Sequence, residues 1–136
     1  MVHWSLVAAV LIGHWVIGNW SLNLGGVMSQ YFFDPKALKG KEIAPGTEIR
    51  VAYGDKIMLS FVEVKPGGVV PMHNHPHEQG GICLEGSMEF TIGGETRIVH
   101  KGEGWMIPGG VMHSVRALEA GAYALDIFYP HREEYK

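Results

Sequence analysis

From Ile49 onward the chain is built of short apolar runs closed by turn residues: "EIRVAYGD", "KIMLSFVEVKPGG", "GGICLEGSMEFTIGGE", "TRIVHKGEG", "WMIPGG", "VMHSVRAL" and "AYALDIFYP". Each run has the length of a strand, and none spaces its apolar residues at a helical period. In the third run Met88, Phe90 and Ile92 alternate with Ser87, Glu89 and Thr91, the period-two pattern of a strand with one buried face. The "IGGE" that closes it predicts a tight hairpin. Evenly spaced strands with almost no helical periodicity predict an all-β fold, an antiparallel sandwich or small barrel, and closing the sheet also removes its exposed edges. Ahead of these runs, "YFFDPKALKGKEIAPG", with Pro35 and Pro45 around a short turn, reads as an arm leading into the barrel.

The first residues break the pattern. Residues 2–28 contain no acidic or basic side chain and are long enough to cross a bilayer, but His3, His14, Asn19, Asn23 and glycines interrupt the apolar run. No Lys or Arg precedes it, as a secretory signal would require, and no convincing small-x-small cleavage site follows. The division expected is an apolar extension over residues 1–27 and a barrel domain over residues 28–136. The extension is read as dispensable or as a soluble packing segment, with membrane contact the less favoured alternative. The protein is then expected in the cytoplasm, or anchored or exported if the extension is a targeting segment. Trp4, Trp15 and Trp20 serve as apolar filler or interface anchors.

Composition narrows the functions open to such a barrel. A chain of 136 residues can bury a core without disulfides and fits one domain. Its 19 glycines outnumber its 7 prolines and fall in pairs such as Gly67-Gly68, Gly80-Gly81, Gly93-Gly94 and Gly109-Gly110, which is turn punctuation. A net charge of -3 with no basic block excludes nucleic acid as a partner. Acidic small molecules stay open, because one arginine can hold a carboxylate. Cys83 is the only cysteine and reads as packing on an apolar strand.

The candidate chemistry lies in "VPMHNHPHEQGG" and "GEGWMIPGGVMHSV". His73 and His75, two apart on a predicted strand, point to one face, the barrel interior. Pro76 turns the chain, and Gln79 follows just ahead of a glycine pair. His113 arrives from a loop shaped by Pro108 and Gly110. Three imidazoles and an amide oxygen suit a divalent transition metal such as Zn, Ni, Fe, Mn or Cu. A neutral amide in place of a carboxylate leaves the ion its full charge. That favours polarising a carbonyl or enolate oxygen over making a basic hydroxide or an oxidant. His77 is read either as an ordinary loop residue or as one that lines the site mouth or orients a ligand. His3, His14, His100 and His131 are read as ordinary core or surface residues, and Glu63, Glu78, Glu85 and Glu103 as solvated charges.

These residues fall in two spaced motifs: Gly67, His73, His75, position 79 and Gly86, then Gly102, Pro108, Gly110 and His113. Over about residues 45–132 the pattern resembles the cupin family, with Gln79 where the family usually has glutamate and Ala117 where it usually has asparagine. The resemblance implies a single-domain cupin barrel, a double-stranded β-helix or jelly roll. The tail "ALDIFYPHREEY" sets Asp126 and Phe128 on one strand face with Arg132 just beyond. With the ligand pattern, this tail is similar to that of the small KdgF-type cupins of pectin and alginate breakdown, which linearise 4,5-unsaturated monouronates. The similarity implies a metal-dependent ring-opening and tautomerising enzyme acting on an acidic sugar. His73, His75, Gln79 and His113 would hold Zn, Ni, Fe or Mn, while Asp126, Phe128 and Arg132 would serve substrate and catalysis. It also implies a homodimer paired across an outer sheet. Two alternatives stay open, a metal-dependent dioxygenase on the same barrel and a non-enzymatic sugar- or acid-binding module. For Asp126 the plain alternative is an ion pair with Arg132 at the strand end.

Overall fold

A computed structural model describes residues 31–136. The extension expected over residues 1–27, with its tryptophans and histidines, and the boundary at Met28 lie outside the described residues. A short 3-10 helix, Pro35–Ala37, starts at Asp34, whose side chain accepts the Lys36 N–H at 2.9 Å. Eight strands follow: β1 (Gly40–Ala44), β2 (Thr47–Tyr53), β3 (Met58–Val64), β4 (Val69–His73), β5 (Glu78–Ile92), β6 (Glu95–His100), β7 (Gly104–Ile107) and β8 (His113–Tyr129). No helix among the described residues is long and apolar enough to cross a membrane.

Two long strands organise the rest. β5 and β8 pair antiparallel from Glu78↔Tyr129 through to Ile92↔His113. Their pairing breaks register between Cys83 and Glu85 and between Gly86 and Met88, and at this corner the sheet folds over. Gly86 and Gly121 both have positive φ, 74° and 72°, and a side chain on Gly86 would strike the Gly121 carbonyl, so the corner needs glycine. Beyond it, the second half of β5 takes β6 as neighbour and the first half of β8 takes β4. On the near side β7 pairs with the first half of β5, and β3, β2 and β1 extend outward from the second half of β8. The predicted all-β barrel is therefore observed, with two differences in its strands.

"VMHSVRAL" and "AYALDIFYP", expected as two strands, form one, because Gly121 bends β8 without ending its ladder. β1, expected as part of an arm, is a strand paired with β2 from Gly40↔Arg50. Its polar "GKE" start carries no apolar alternation, since an edge strand leaves those side chains in water. The "IGGE" hairpin is as predicted: Ile92 pairs with Glu95, and Gly93 and Gly94 have φ of 55° and 87°, the primed turn that matches strand twist.

The predicted alternation in β5 is also observed, with Met88 and Phe90 only 2% and 3% exposed. Burying each contributes about 1.5–3 kcal/mol relative to leaving it in water. They pack with Ile49, Val62, Val64 and Cys83 in a single core. On β8 the inward positions Ala122 and Ala124 are small, and they line an open cavity in the barrel.

Candidate metal centre

The predicted ligands meet at strand ends. His73 closes β4 and is the cross-strand partner of His113, which opens β8; their ring centroids are 4.3 Å apart. His75 does not share the strand with His73, contrary to the sequence expectation. The ladder loses register between Val70 and His73, and Pro76, with no N–H to give, cannot restore it. The connection from β7 to β8 holds this loop instead. Gly110 N–H donates to the His75 carbonyl at 2.7 Å, and Asn74 Nδ2 donates to the Gly110 carbonyl at 3.3 Å. Gly109 lies so close to the Pro76 carbonyl that no side chain fits between. His75 is thereby set 5.8 Å from His73 and 5.0 Å from His113, ring to ring. One ligand nitrogen from each of the three lies within 4.8 Å of the others.

Each imidazole is oriented from behind by main chain. Nδ1 of His73 bonds the Pro71 carbonyl at 2.7 Å, that of His75 the His77 carbonyl at 3.0 Å, and that of His113 the Val111 carbonyl at 2.8 Å. A carbonyl only accepts, so Nδ1 of His73 and of His113 carries the hydrogen and Nε2 of each turns a lone pair inward; His75 faces an oxygen acceptor at both nitrogens and, while neutral, gives its one hydrogen to either. Nε2 of His113 is buried with no hydrogen-bond partner among the described residues. Nε2 of His75 lies 3.0 Å from Oε1 of Gln79, close enough for one cation to lie against both when the ring hydrogen is on Nδ1. Burial holds the His113 ring down to about 4 despite the bond to Val111, with His73, His75 and Arg132 adding to the effect. Burial, then Arg132, also lowers His75. Both rings are neutral at neutral pH, the form that binds metal. The three histidines can hold a metal ion, and a buried lone pair with no hydrogen to receive fits that use.

Gln79 owes its direction to Asp126. Its Nε2 donates to Asp126 Oδ1 at 2.8 Å, which leaves its oxygen turned toward His75. A glutamate at 79 would have no N–H and would set carboxylate against carboxylate. Trp105 Nε1 donates to the same Oδ1 at 3.0 Å. Burial pushes the Asp126 carboxyl up to about 6, against the opposing effect of these two donors and of Arg132.

Arg132 is placed differently from the plain ion-pair alternative. Its Nε and one terminal nitrogen bind Glu134 Oε1 at 2.8 and 2.7 Å. Its guanidinium lies 4.1 Å from the Tyr135 ring centroid and 5.3 Å from that of Phe128. Glu134 and Tyr135 sit in a closing 3-10 turn, Glu133–Tyr135, which Lys41 ties to β1 by donating to the Glu134 carbonyl at 2.8 Å. His73, Gln79, His113, Asp126, Phe128 and Arg132 line one cavity of about 60 Å³.

Residues that the sequence reading left out are Trp105, Glu134 and Tyr135. "WMIPGG" signals a strand but not what its tryptophan touches, and "HREEY" reads as an ordinary charged terminus. The main-chain carbonyl of His77 faces His75 Nδ1 at 3.0 Å. Cys83 is packing, fully buried, with burial pushing its thiol up. Glu85 pairs with Lys101 at 2.8 Å on the surface, and Glu103 accepts the His100 N–H at 2.7 Å. His131 lies 3.1 Å from Glu133, away from the ligand cluster.

Among known proteins, the Cupin domain family matches residues 60–128. The chain is similar to the pectin degradation protein KdgF of Dickeya dadantii, with 31% identity over 110 residues, 79% of this chain and 99% of that protein. Among solved structures, KdgF from Halomonas sp. aligns with a TM-score of 0.73 at 27% identity, over 79% of this chain and 100% of its own. Bacillus subtilis oxalate decarboxylase, a protein with Mn(II) centers, shares the fold with a TM-score of 0.69 at 24% identity, over 82% of this chain and 33% of its own.

Proposed function

The chain belongs to the cupin family, and on that premise we propose that it is a metal-dependent enzyme converting 4,5-unsaturated monouronates from pectin or alginate to the linear keto form. The observation that carries this is the gathering of Asp126, Phe128 and Arg132 around the same cavity as the histidine cluster. Similarity to KdgF over 79% of the chain supports the choice of substrate. His73, His75, Gln79 and His113 would hold Zn, Ni, Fe or Mn, which when bound supplies Lewis acidity toward an enolate oxygen.

The substrate ring is a hemiacetal whose ring oxygen is also part of an enol ether. Asp126 takes the proton of the C1 hydroxyl. The bond from C1 to the ring oxygen then breaks, giving an aldehyde at C1 and leaving the electron pair on the oxygen at C5. Asp126 returns the proton to C4, and C5 becomes a ketone. Arg132 holds the C6 carboxylate in a charge-assisted pair, and Phe128 flanks the ring. The test is incubation of metal-loaded protein with unsaturated galacturonate and mannuronate while following loss of the conjugated ultraviolet absorbance. Turnover of neither would sink the assignment, and oxygen uptake with a redox metal would put a dioxygenase in its place.

Arg132 already carries one carboxylate, that of Glu134, where the substrate's would bind. Glu134→Gln is therefore expected to lower KM several-fold at unchanged kcat, and Arg132→Ala to raise KM. Steady-state kinetics on both variants check this, and a KM unmoved by either would remove Arg132 from substrate binding.

The same reading includes a homodimer. Ile82, Met106 and Ile127 are 38%, 68% and 41% exposed on neighbouring strands β5, β7 and β8, on the face opposite Asp126. An exposed apolar sheet face of this kind suits a second copy. Light scattering on the eluting protein is expected to give a dimer, and Ile127→Arg a monomer; a monomeric wild type would count against it.

A further inference from the structure

Trp105 stands in a register row that crosses three strands: on β5 Gly81 is the partner both of Trp105 on β7 and of Asp126 on β8. The middle position has no side chain, and a Cβ there would lie inside the Trp105 indole. The indole therefore occupies the space over Gly81 and reaches across β5 to donate to Asp126 Oδ1 at 3.0 Å. Phe90 packs edge-on to it, with centroids 5.0 Å apart. The same oxygen accepts Gln79 Nε2 at 2.8 Å.

We infer that Trp105 is a positioning residue that, through the space vacated at Gly81, fixes which oxygen of Asp126 faces the substrate. This rests on the proton-carrying role proposed for Asp126. Two N–H donors converge on Oδ1, so Oδ2 is the oxygen left to exchange a proton. With the indole N–H gone, one donor remains and the carboxyl can turn about its Cβ–Cγ bond, presenting either oxygen. Small misplacements of a reacting group are expensive in rate. The residue acts through Asp126, beside which it lines the cavity.

Trp105→Phe keeps a ring against Phe90 while removing the donor. Its kcat is expected to fall about tenfold, with KM and bound metal unchanged. Gly81→Ala, with Trp105 intact, should give the same loss because the new methyl displaces the indole. In the Asp126→Asn background, measured on its residual rate, Trp105→Phe should cost nothing more. A wild-type kcat in Trp105→Phe, or losses that multiply in the double variant, would overturn the inference. A second measurement does not depend on turnover. The indole ¹H–¹⁵N resonance assigned to Trp105 should move upfield in Asp126→Asn, since an amide oxygen is a weaker acceptor than a carboxylate. An unmoved resonance overturns the inference even in active protein. A moved resonance in protein that turns over neither uronate upholds the Trp105–Asp126 link while the proposed reaction fails.

Discussion

Alanine at His113 is expected to leave the protein folded but without its metal. The nitrogen that this substitution removes, Nε2, is buried and has no partner among the described residues, so its loss breaks no hydrogen bond there. The substitution also removes the Nδ1 bond to Val111, one ordinary net contribution of about 0.5–1.5 kcal/mol. Loss of binding is much the larger effect. Groups that merely orient a ligand are worth about 10–100-fold in metal affinity, and removing the ligand itself should exceed that range. Elemental analysis of purified protein gives the occupancy. Thermal unfolding with and without added metal gives the linkage, because an ion that binds only the folded state raises the midpoint. The wild type should show that rise and His113→Ala should not. A triple alanine variant at His73, His75 and His113 that kept stoichiometric metal would show the ion to lie elsewhere.

The contrast between His113 and its neighbours shows what a single chain discloses. His73, His75 and His113 were readable because fixed spacing around turn residues is local information: Pro76, Pro108 and the glycines set the loops within a few residues of each histidine. The geometry of His75 was not readable, since it leaves the strand and is held by Gly110, 35 positions on in the chain. Gln79 was visible as a departure, and its effect on the charge of an ion could be argued, but its hydrogen-bond partner could not be seen. Its amide has to donate to Asp126 across a sequence separation of 47 while its oxygen faces His75, and only the pairing of β5 with β8 brings the two together. The fold followed the same division. Alternation in β5 announced a half-buried strand, whereas the polar edge strand β1 gave no apolar signal. The bend in β8 depended on one glycine that the sequence presents as a strand end. Trp105 was hidden for a further reason, because its partner is reached over the missing side chain of Gly81, and an absent side chain carries no sign of what lies across it.

That arrangement makes Asp126→Asn the sharpest test of the chemistry. The amide is nearly isosteric with the carboxyl, and its oxygen can accept from Gln79 Nε2 and Trp105 Nε1 as Oδ1 does. Its NH2 then takes the place of Oδ2. Gln79 keeps its orientation, so metal content should match the wild type, and Arg132, held by Glu134 and flanked by Phe128 and Tyr135, should still take the substrate carboxylate. KM is therefore expected to change little. Turnover is not, because an amide cannot accept the C1 proton or return one to C4. Positioned acid-base groups contribute about 100-fold to 10,000-fold, so kcat should fall by about 100-fold or more. The two parameters separate this role from a structural one: loss of a strut for Gln79 would lower metal content and raise KM together, whereas loss of the proton carrier lowers kcat alone. Wild-type turnover by metal-loaded Asp126→Asn would sink the mechanism, because no other carboxyl among the described residues lines the cavity where the ring would sit.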